Sequence, residues 1–332
     1  MTNNPEIAFY YPNPIWHNGD WVKNLILFFD GIGLLVPDYM KDRIESFDPA
    51  IVNGLKEHDL LHIIEPEKAV DSSSTEKLAS ILTDIITSGA LDILAKDSID
   101  FQHLSRSRLG YYGDEGLAKM IFEELKRRGL AQNSEDNKTV RLHPLVRSLV
   151  LTLLSQLTRP YGEQIKLDLN PVTDRHRLIG SLKEMLSIPN SPSSGNVISF
   201  DLNVVSVDVS SIPIKEVLEF RAENYDAFKD YQRECKLFAF ELSRMSEEER
   251  NLNFDLRQEK LNDLASSLRK TSRKAWKKPA SFALTIAGAA WTLTTGDIIG
   301  GAIATSGGLL GLDKSEKNVG AYSYLFKANE RW

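Results

Sequence analysis

The chain has 332 residues, a formal net charge of −6, an apolar content of 42% and a charged content of 26%, values that exclude a disordered chain or a polytopic membrane protein. The acidic balance argues against a dedicated nucleic-acid binder, because phosphate contacts need a surplus of clustered Lys and Arg. The single cysteine, Cys235, excludes an intramolecular disulfide and indicates a reducing compartment, and the first residues lack a secretory signal, so we expect a cytoplasmic protein.

Residues 1–112 are predicted to form an α/β domain. Short apolar runs that end at prolines predict three strands, at 6–11, 32–36 and 61–64. Capping residues and helical spacing predict helices over 20–29, 48–57 and 73–88. The last helix is expected to begin with a capping box formed by Ser73 and Glu76. This alternation predicts a small parallel or mixed sheet with helices on its faces.

Residues 113–188 are predicted to form a helical subdomain with a winged-helix-like order. The expected elements are a helix closed by Gly129, a β-hairpin and an apolar helix, over 114–128, 130–143 and 145–157. The turn of the hairpin carries Glu135 and Asp136, which would repel nucleic-acid phosphates. A structural role is therefore favoured over DNA binding.

The second half is predicted to be mainly helical. Turn-forming residues 189–196 indicate a linker, and the β-branched residues within 197–212 predict a strand that returns to the N-terminal sheet. Residues 213–278 are predicted to form a long antiparallel αα-hairpin. Its apolar seam includes Phe228, Tyr231, Phe238 and Leu242. Such a seam indicates self-packing, or assembly with a protein partner or a second copy of the chain, and self-packing is favoured.

Residues 279–312 contain one ionisable side chain, Asp297, and follow a basic stretch at 269–278. A basic collar before an uncharged segment is typical of a membrane-inserting hairpin. Gly296, Gly300 and Gly308 recur at multiples of four, which equally predicts a close-packed Gly/Ala-rich helix pair. The second interpretation is favoured, because an acid at membrane depth costs about 2.5–3.5 kcal/mol. The tail, 313–332, is expected to dock on the core.

No catalytic constellation emerges from the sequence, and neither a cofactor nor a metal site is predicted. Aromatic residues and one acid near the ends of the predicted strands suggest ligand recognition at the carboxyl edge of the sheet, with Trp16, Trp21 and Asp30 as candidates. A second candidate is the polar run that holds Asp168, Asp174 and His176, in which Thr173–Asp174 also suits a helix start.

Three segments, YYP…W…LILFFD, IPIKEVLEFR and AYSYLFK, resemble an uncharacterised bacterial protein family of similar length. The resemblance spans most of the chain. It implies a bacterial or prophage-type origin and a role in an accessory system such as phage defence. It transfers no catalytic or binding residue.

The sequence therefore favours a non-enzymatic interaction or regulatory protein that assembles through its C-terminal helical hairpin. Two alternatives stay open. The first is a membrane-active effector in which 279–312 inserts into and permeabilises a membrane, and the second is an enzyme with an unrecognised site.

Overall fold

The structure is a computed structural model, which describes residues 4–94, 100–109, 117–136, 138–173, 201, 209, 211–269, 285–286 and 323–331. It is a mixed α/β protein. A mainly parallel sheet and a smaller antiparallel sheet are combined with helices on both faces of the parallel sheet.

The parallel sheet joins strands from distant parts of the chain. Its order is β3 (Leu61–Ile64), β2 (Gly31–Leu35), β1 (Glu6–Tyr10) and β7 (Asp168–Thr173), all parallel. Ile7 pairs with Gly31 on one side and with Leu169 on the other, so β1 is central. The three N-terminal strands confirm the sequence prediction. β7 was not predicted, because its residues, DLNPVT, look like a polar turn before a helix.

Side chains of β1 alternate between two cores, as the two-residue period of a strand requires. Ala8 and Tyr10 face a core shared with the C-terminal helices. Ile7 and Phe9 face a second core, shared with the helices and small sheet of the middle section. Because both faces are covered, the strand is apolar along nearly its whole length.

The helices of the first part begin at short polar side chains. They are α1 (Gly19–Ile26), α2 (Ile44–Phe47), α3 (Pro49–Glu57), α4 (Pro66–Ala69) and α5 (Ser72–Thr87). A 3₁₀ helix, Asp38–Arg43, precedes α2. The prediction of Ser73 as the cap of α5 is wrong, since Asp71 accepts the Ser74 N–H at 2.8 Å. The predicted first helix is also too long, because α1 ends at Ile26 and a turn then leads the chain into β2.

The middle section builds the antiparallel sheet, in the order β4 (Gln102–Ser105), β6 (Thr139–Leu142), β5 (Ala131–Asn133). The predicted hairpin is confirmed as β5 and β6, whereas β4 was not predicted. The surrounding helices are α6 (Leu117–Arg127), α7 (Pro144–Leu157) and α8 (Arg159–Gln164), with a 3₁₀ turn at Ser107–Leu109. Gly129, at a φ of 73°, ends the helical region after α6 as expected.

The C-terminal half contributes α9 (Ile214–Glu223), α10 (Tyr225–Ser243), α11 (Glu247–Arg269) and α12 (Ser323–Arg331). α10 and α11 are separated by three residues, and the ring of Phe238 contacts that of Phe254 at 5.7 Å between centroids. From α12, Tyr324 and Leu325 are fully buried. The Tyr324 ring packs against Phe28 and Phe228, which ties the end of the chain to its beginning.

Several predicted elements lie wholly or largely outside the described residues, among them the linker at 189–196. Of the predicted strand within 197–212, residues 201, 209, 211 and 212 are described; Asp201 is helical, and the other three do not belong to a strand. Of 279–312, the structure describes Thr285–Ile286, a two-residue strand, β8, that pairs antiparallel with β7. At these two residues the segment is a strand and not a helix.

Candidate functional site

The loops that follow the parallel strands meet at one edge of the sheet, the carboxyl edge. β1 is the point at which the strand order reverses, since β2 and β3 lie on one side of it and β7 on the other. In open α/β sheets, ligands bind outside the carboxyl ends of the strands at such a switch point. The residues that follow β1 are Tyr11, Pro12 and Asn13, and they form the floor of the candidate site.

Two arginines converge on the backbone immediately after β1, and we call Arg108 and Arg147 the arginine pair. Arg108 Nη2 donates a hydrogen bond to the carbonyl of Tyr11. Arg147 Nη2 donates to the next carbonyl, Pro12 O, at 2.7 Å, and to Asn13 Oδ1 at 3.0 Å. The two guanidinium groups are therefore anchored to consecutive carbonyls, and they are close enough to repel each other.

Two different elements place the arginine pair. Arg108 lies in the 3₁₀ turn Ser107–Leu109, and Arg147 lies in the first turn of α7. The Arg147 Nε donates to His103 O at 2.8 Å, which fixes the guanidinium against β4. One further bond links α7 to the end of β1, since the hydroxyls of Tyr11 and Thr152 lie 3.2 Å apart. The pair is thus anchored by α7, by β4 and by the loop after β1.

Arg108 is the most deeply buried cation of this edge, with 1% of its surface exposed. Burial, followed by repulsion from Arg147, lowers the pKa of Arg108 to about 9. Within the described part of the chain no carboxylate offsets its charge, and its Nε has no hydrogen-bond acceptor. Buried charges in proteins are normally paired, and among the described residues this guanidinium has no counter-charge.

A basic path leads from the surface to the arginine pair. The phenol of Tyr39 is close enough to favour the charged form of Arg108. Tyr39 is 48% exposed, and the ammonium of the exposed Lys138 lies 5.6 Å from the centre of its ring. Cationic groups therefore continue from solvent to the interior beside one half-exposed aromatic ring.

The predicted ligand residues Trp16 and Trp21 lie near this edge but serve packing. Trp16 Nε1 donates to Asp48 Oδ2 at 3.3 Å, which links the loop after β1 to the start of α3. The Trp21 ring meets Tyr10 edge-on at 5.3 Å. Asn13 extends the loop's own network, with its Nδ2 2.9 Å from His17 Nε2.

Asp30 lies at the opposite edge from the one expected. It precedes β2, so it belongs to the amino edge, where the strands begin. Its carboxylate accepts the Glu6 N–H at 2.8 Å and the Lys229 ammonium at 2.8 and 3.0 Å, and Arg221 lies 3.8 Å away. The prediction of a ligand role at the carboxyl edge is wrong in position, because the helix before Asp30 ends early and a turn brings it to the start of β2.

A second ion pair completes this amino-edge cluster, which consists of Glu6, Asp30, Arg221, Lys229 and Lys236. The Lys236 ammonium lies 2.7 Å from Glu6 Oε1. Burial raises the pKa of Glu6, while Lys236 opposes the shift. The cluster joins β1 and β2 to helices α9 and α10.

The second predicted polar group is only partly described. Asp168 is the first residue of β7 and lies 3.6 Å from Arg159, also at the amino edge. Thr173 is the last residue of β7, so the helix start predicted at Thr173–Asp174 falls at the limit of the described residues. Asp174 and His176 lie outside the described residues.

The predicted assembly seam faces inward. Phe228, Tyr231 and Leu242 are fully buried, and Phe238 is half-buried against Phe254. These side chains therefore form core contacts in this state of the chain. Other apolar residues of the same helical region are exposed, and Leu252 and Leu256 lie one turn apart on α11 with 58% and 53% exposure.

A buried charged network lies between α10 and α11. Asp201 accepts two hydrogen bonds from Arg257, each of 2.6 Å, and one from the Tyr231 hydroxyl at 2.8 Å. Bidentate pairing and the third donor satisfy this buried carboxylate, although burial raises its pKa. Burial also raises the pKa of the nearby Cys235 thiol, so it is a poor nucleophile.

His58 and His62 lie four positions apart in the sequence and belong to different elements. His58 ends α3, whereas His62 lies in β3, where burial lowers its pKa. Among the described residues, no group of three or more His, Cys, Asp or Glu side chains is arranged to hold a metal ion.

The membrane hypothesis concerns residues that are mostly not described, including Gly296, Asp297, Gly300 and Gly308. In the part of the chain that is described, no helix combines the length and apolar character needed to cross a bilayer.

Sequence reasoning missed the arginine pair. The available signal was Arg147, a charged residue in the otherwise apolar helix that begins with PLVRSLVLTLL. Comparisons of the chain with family models, with curated proteins and with solved structures gave no match. The role of the carboxyl edge therefore has to be argued from its geometry.

Proposed function

We propose that this chain is a non-enzymatic interaction or regulatory protein of a bacterial accessory complex of the phage-defence type. Its α/β part receives a signal at the carboxyl edge, and its C-terminal helices mediate assembly. The observation that carries this proposal is the division of charge between the two edges. The amino-edge cluster pairs its charges and attaches the helices, while Arg108 meets no carboxylate of the described residues at the carboxyl edge.

The assembly role rests on the C-terminal helices. We infer that α10 and α11 form an antiparallel αα-hairpin, supported by the Phe238–Phe254 contact and the short connection between the helices. We also infer a close-packed Gly/Ala-rich helix pair for the part of 279–312 beyond β8. Because Phe228 and Tyr231 are buried, the docking surface would use the exposed Leu252 and Leu256.

The test is the state of the purified chain and of its complexes. Light scattering after size exclusion, together with capture from the chain's own cells, should reveal a defined oligomer or complex. A Leu252→Ser, Leu256→Ser double variant should lose it. Phe47→Ser is the matched control, since Phe47 is 56% exposed on α2. A wild-type chain that is a monodisperse monomer and captures nothing contradicts the proposal.

A membrane-active effector is the second candidate, favoured by the uncharged segment and its basic collar. In this case the 279–312 segment would leave the sheet edge where β8 pairs with β7. Leakage of liposomes should then depend on the segment. Equal leakage by the wild-type chain and a variant lacking 279–312 would reject this function.

A further inference from the structure

We propose that the arginine pair, Arg108 and Arg147, binds the phosphate group of a small anionic ligand at the carboxyl edge of the parallel sheet. This inference deepens the proposed function and rests on it for the idea that the α/β part receives a signal. It names the chemical class of that signal.

The first argument is the desolvation of Arg108. A guanidinium with 1% exposure has given up its hydration, and within the described residues it receives one carbonyl in exchange and no carboxylate. Taking a cation out of water without a counter-charge is unfavourable. A bound oxyanion supplies the missing charge and an acceptor for the free Nε.

The second argument is the geometry of the pair. Two planar guanidinium groups sit on consecutive carbonyls, Tyr11 O and Pro12 O, so their charges add at one place. Repulsion between two cations is tolerated in proteins where an anion lies between them. The Arg108 Nε can donate to a phosphate oxygen, and such charge-assisted hydrogen bonds from arginine are strong.

The third argument is access and location. The exposed Lys138 lies over the ring of Tyr39, whose phenol is near Arg108, and this surface cation would attract an anion. The pair also lies beside β1, where the strand order reverses. Three features thus coincide at one edge, namely the buried charge of Arg108, the nearby second cation and the switch point.

Calorimetric titration of the full chain at constant ionic strength tests the proposal, with inorganic phosphate, pyrophosphate and AMP as probes. We expect saturable binding by the wild type and a loss of affinity of about tenfold or more in Arg108→Gln and Arg147→Gln. Arg159→Gln is the matched control, because Arg159 pairs with Asp168 at the opposite edge of the same sheet. Its affinity should equal that of the wild type.

The probes separate two sources of the phosphate group. Tighter binding of AMP than of phosphate assigns the site to a phosphorylated small molecule, and equal binding assigns it to the free anion. The absence of saturable binding by all three probes overturns the inference, as does wild-type affinity in the Arg108→Gln variant. In that event the arginines act only as cross-links of the loop after β1.

Folding of the variants is checked by circular dichroism. If neither arginine variant folds, the exposed Lys138→Gln variant decides the question. An affinity weaker by about threefold supports the inference, and an unchanged affinity overturns it. Failure here is distinct from failure of the proposed function. Loss of phosphate binding would leave the oligomer or complex intact, whereas a lone monomer that binds phosphate would contradict only the assembly role.

Discussion

The two edges of the parallel sheet differ in how their buried charges are paired. At the amino edge, Asp30 has two cationic partners and Glu6 has Lys236. At the carboxyl edge, Arg108 and Arg147 bind backbone carbonyls, and Arg108 meets no described carboxylate. The paired charges of the amino edge stabilise the fold, and the carboxyl edge is where we propose that a ligand binds. Perturbing the amino edge should therefore weaken the fold, and perturbing the carboxyl edge should mainly weaken binding.

The largest effect is expected from Asp30→Ala at the amino edge. The substitution leaves the largely buried Arg221, the Lys229 ammonium and the Glu6 N–H without their shared acceptor. Breaking a buried ion pair typically costs about 3–5 kcal/mol, and the partial exposure of Lys229 places this site near the lower value. Urea unfolding measures the loss.

Asp255→Ala is the control for that experiment, because Asp255 is exposed in the middle of α11. Its free energy of unfolding should stay within about 0.5 kcal/mol of the wild type. Equal losses in the two variants would show that the amino-edge cluster adds nothing beyond a surface charge.

At the carboxyl edge, by contrast, we expect a substitution to raise the free energy of unfolding. In buffer free of phosphate, Arg108→Met should raise the free energy of unfolding by about 1 kcal/mol, because removing an uncompensated buried charge outweighs one lost hydrogen bond. Urea unfolding at neutral pH is again the measurement. A loss of about 2 kcal/mol or more would mean that Arg108 is balanced, and the contrast between the edges would fail.

A smaller, pH-dependent effect is expected from His143. Its neutral ring caps α7, since Nδ1 accepts the Leu145 N–H at 3.2 Å, and this helix carries Arg147. Burial lowers the pKa of His143. The unfolded chain therefore binds the proton more readily, so stability is retained above about pH 6.5 and falls as the pH drops below it.

The variant His143→Asn tests this sign. Asparagine also caps helices but does not titrate, so the variant should lose less stability than the wild type between pH 7 and pH 5. Chemical unfolding at the two pH values gives the answer. Parallel losses in both proteins would contradict the assignment.

The smallest effect is expected from Lys236→Met. Lys236 is 42% exposed, so its pair with Glu6 is partly screened, and the loss should be about 0.5–1 kcal/mol. The variant leaves Glu6 buried without its cation, so the pKa of Glu6 should rise further, which a carboxyl-resolved NMR titration would show. A Glu6 that titrates as in the wild type would contradict this pairing.

Local signals in the sequence predict much of the fold. Prolines after β1, β2 and β3, the Asp48 cap and Gly129 each mark an element boundary that the structure contains. Long-range pairing was not predictable in the same way. β7 lies beside β1 because of contacts made across the sheet, and its own residues read as a turn.

The candidate site was the least predictable part. The sequence analysis predicted Asp30 at the carboxyl edge. The partner of Asp30, Lys229, is 199 positions away, and no local pattern links the two residues. The arginine pair likewise joins residues 108 and 147 to the loop after β1. A charge inside the apolar helix α7 was the one available clue, and it identifies a buried cation without saying what it contacts.

The pairing of Asp30 with Lys229 has a consequence for the order in which the protein is made. The arginine pair lies within the first 147 positions, as does the loop after β1 to which it donates hydrogen bonds. The amino-edge cluster also needs Arg221, Lys229 and Lys236. During synthesis from the N-terminus, the residues of the arginine pair therefore emerge well before the helices that supply the cations of the amino edge. A nascent chain stalled before α9 would expose Asp30 and Glu6 without these cations, so we expect the amino-edge cluster to form only when α10 has emerged.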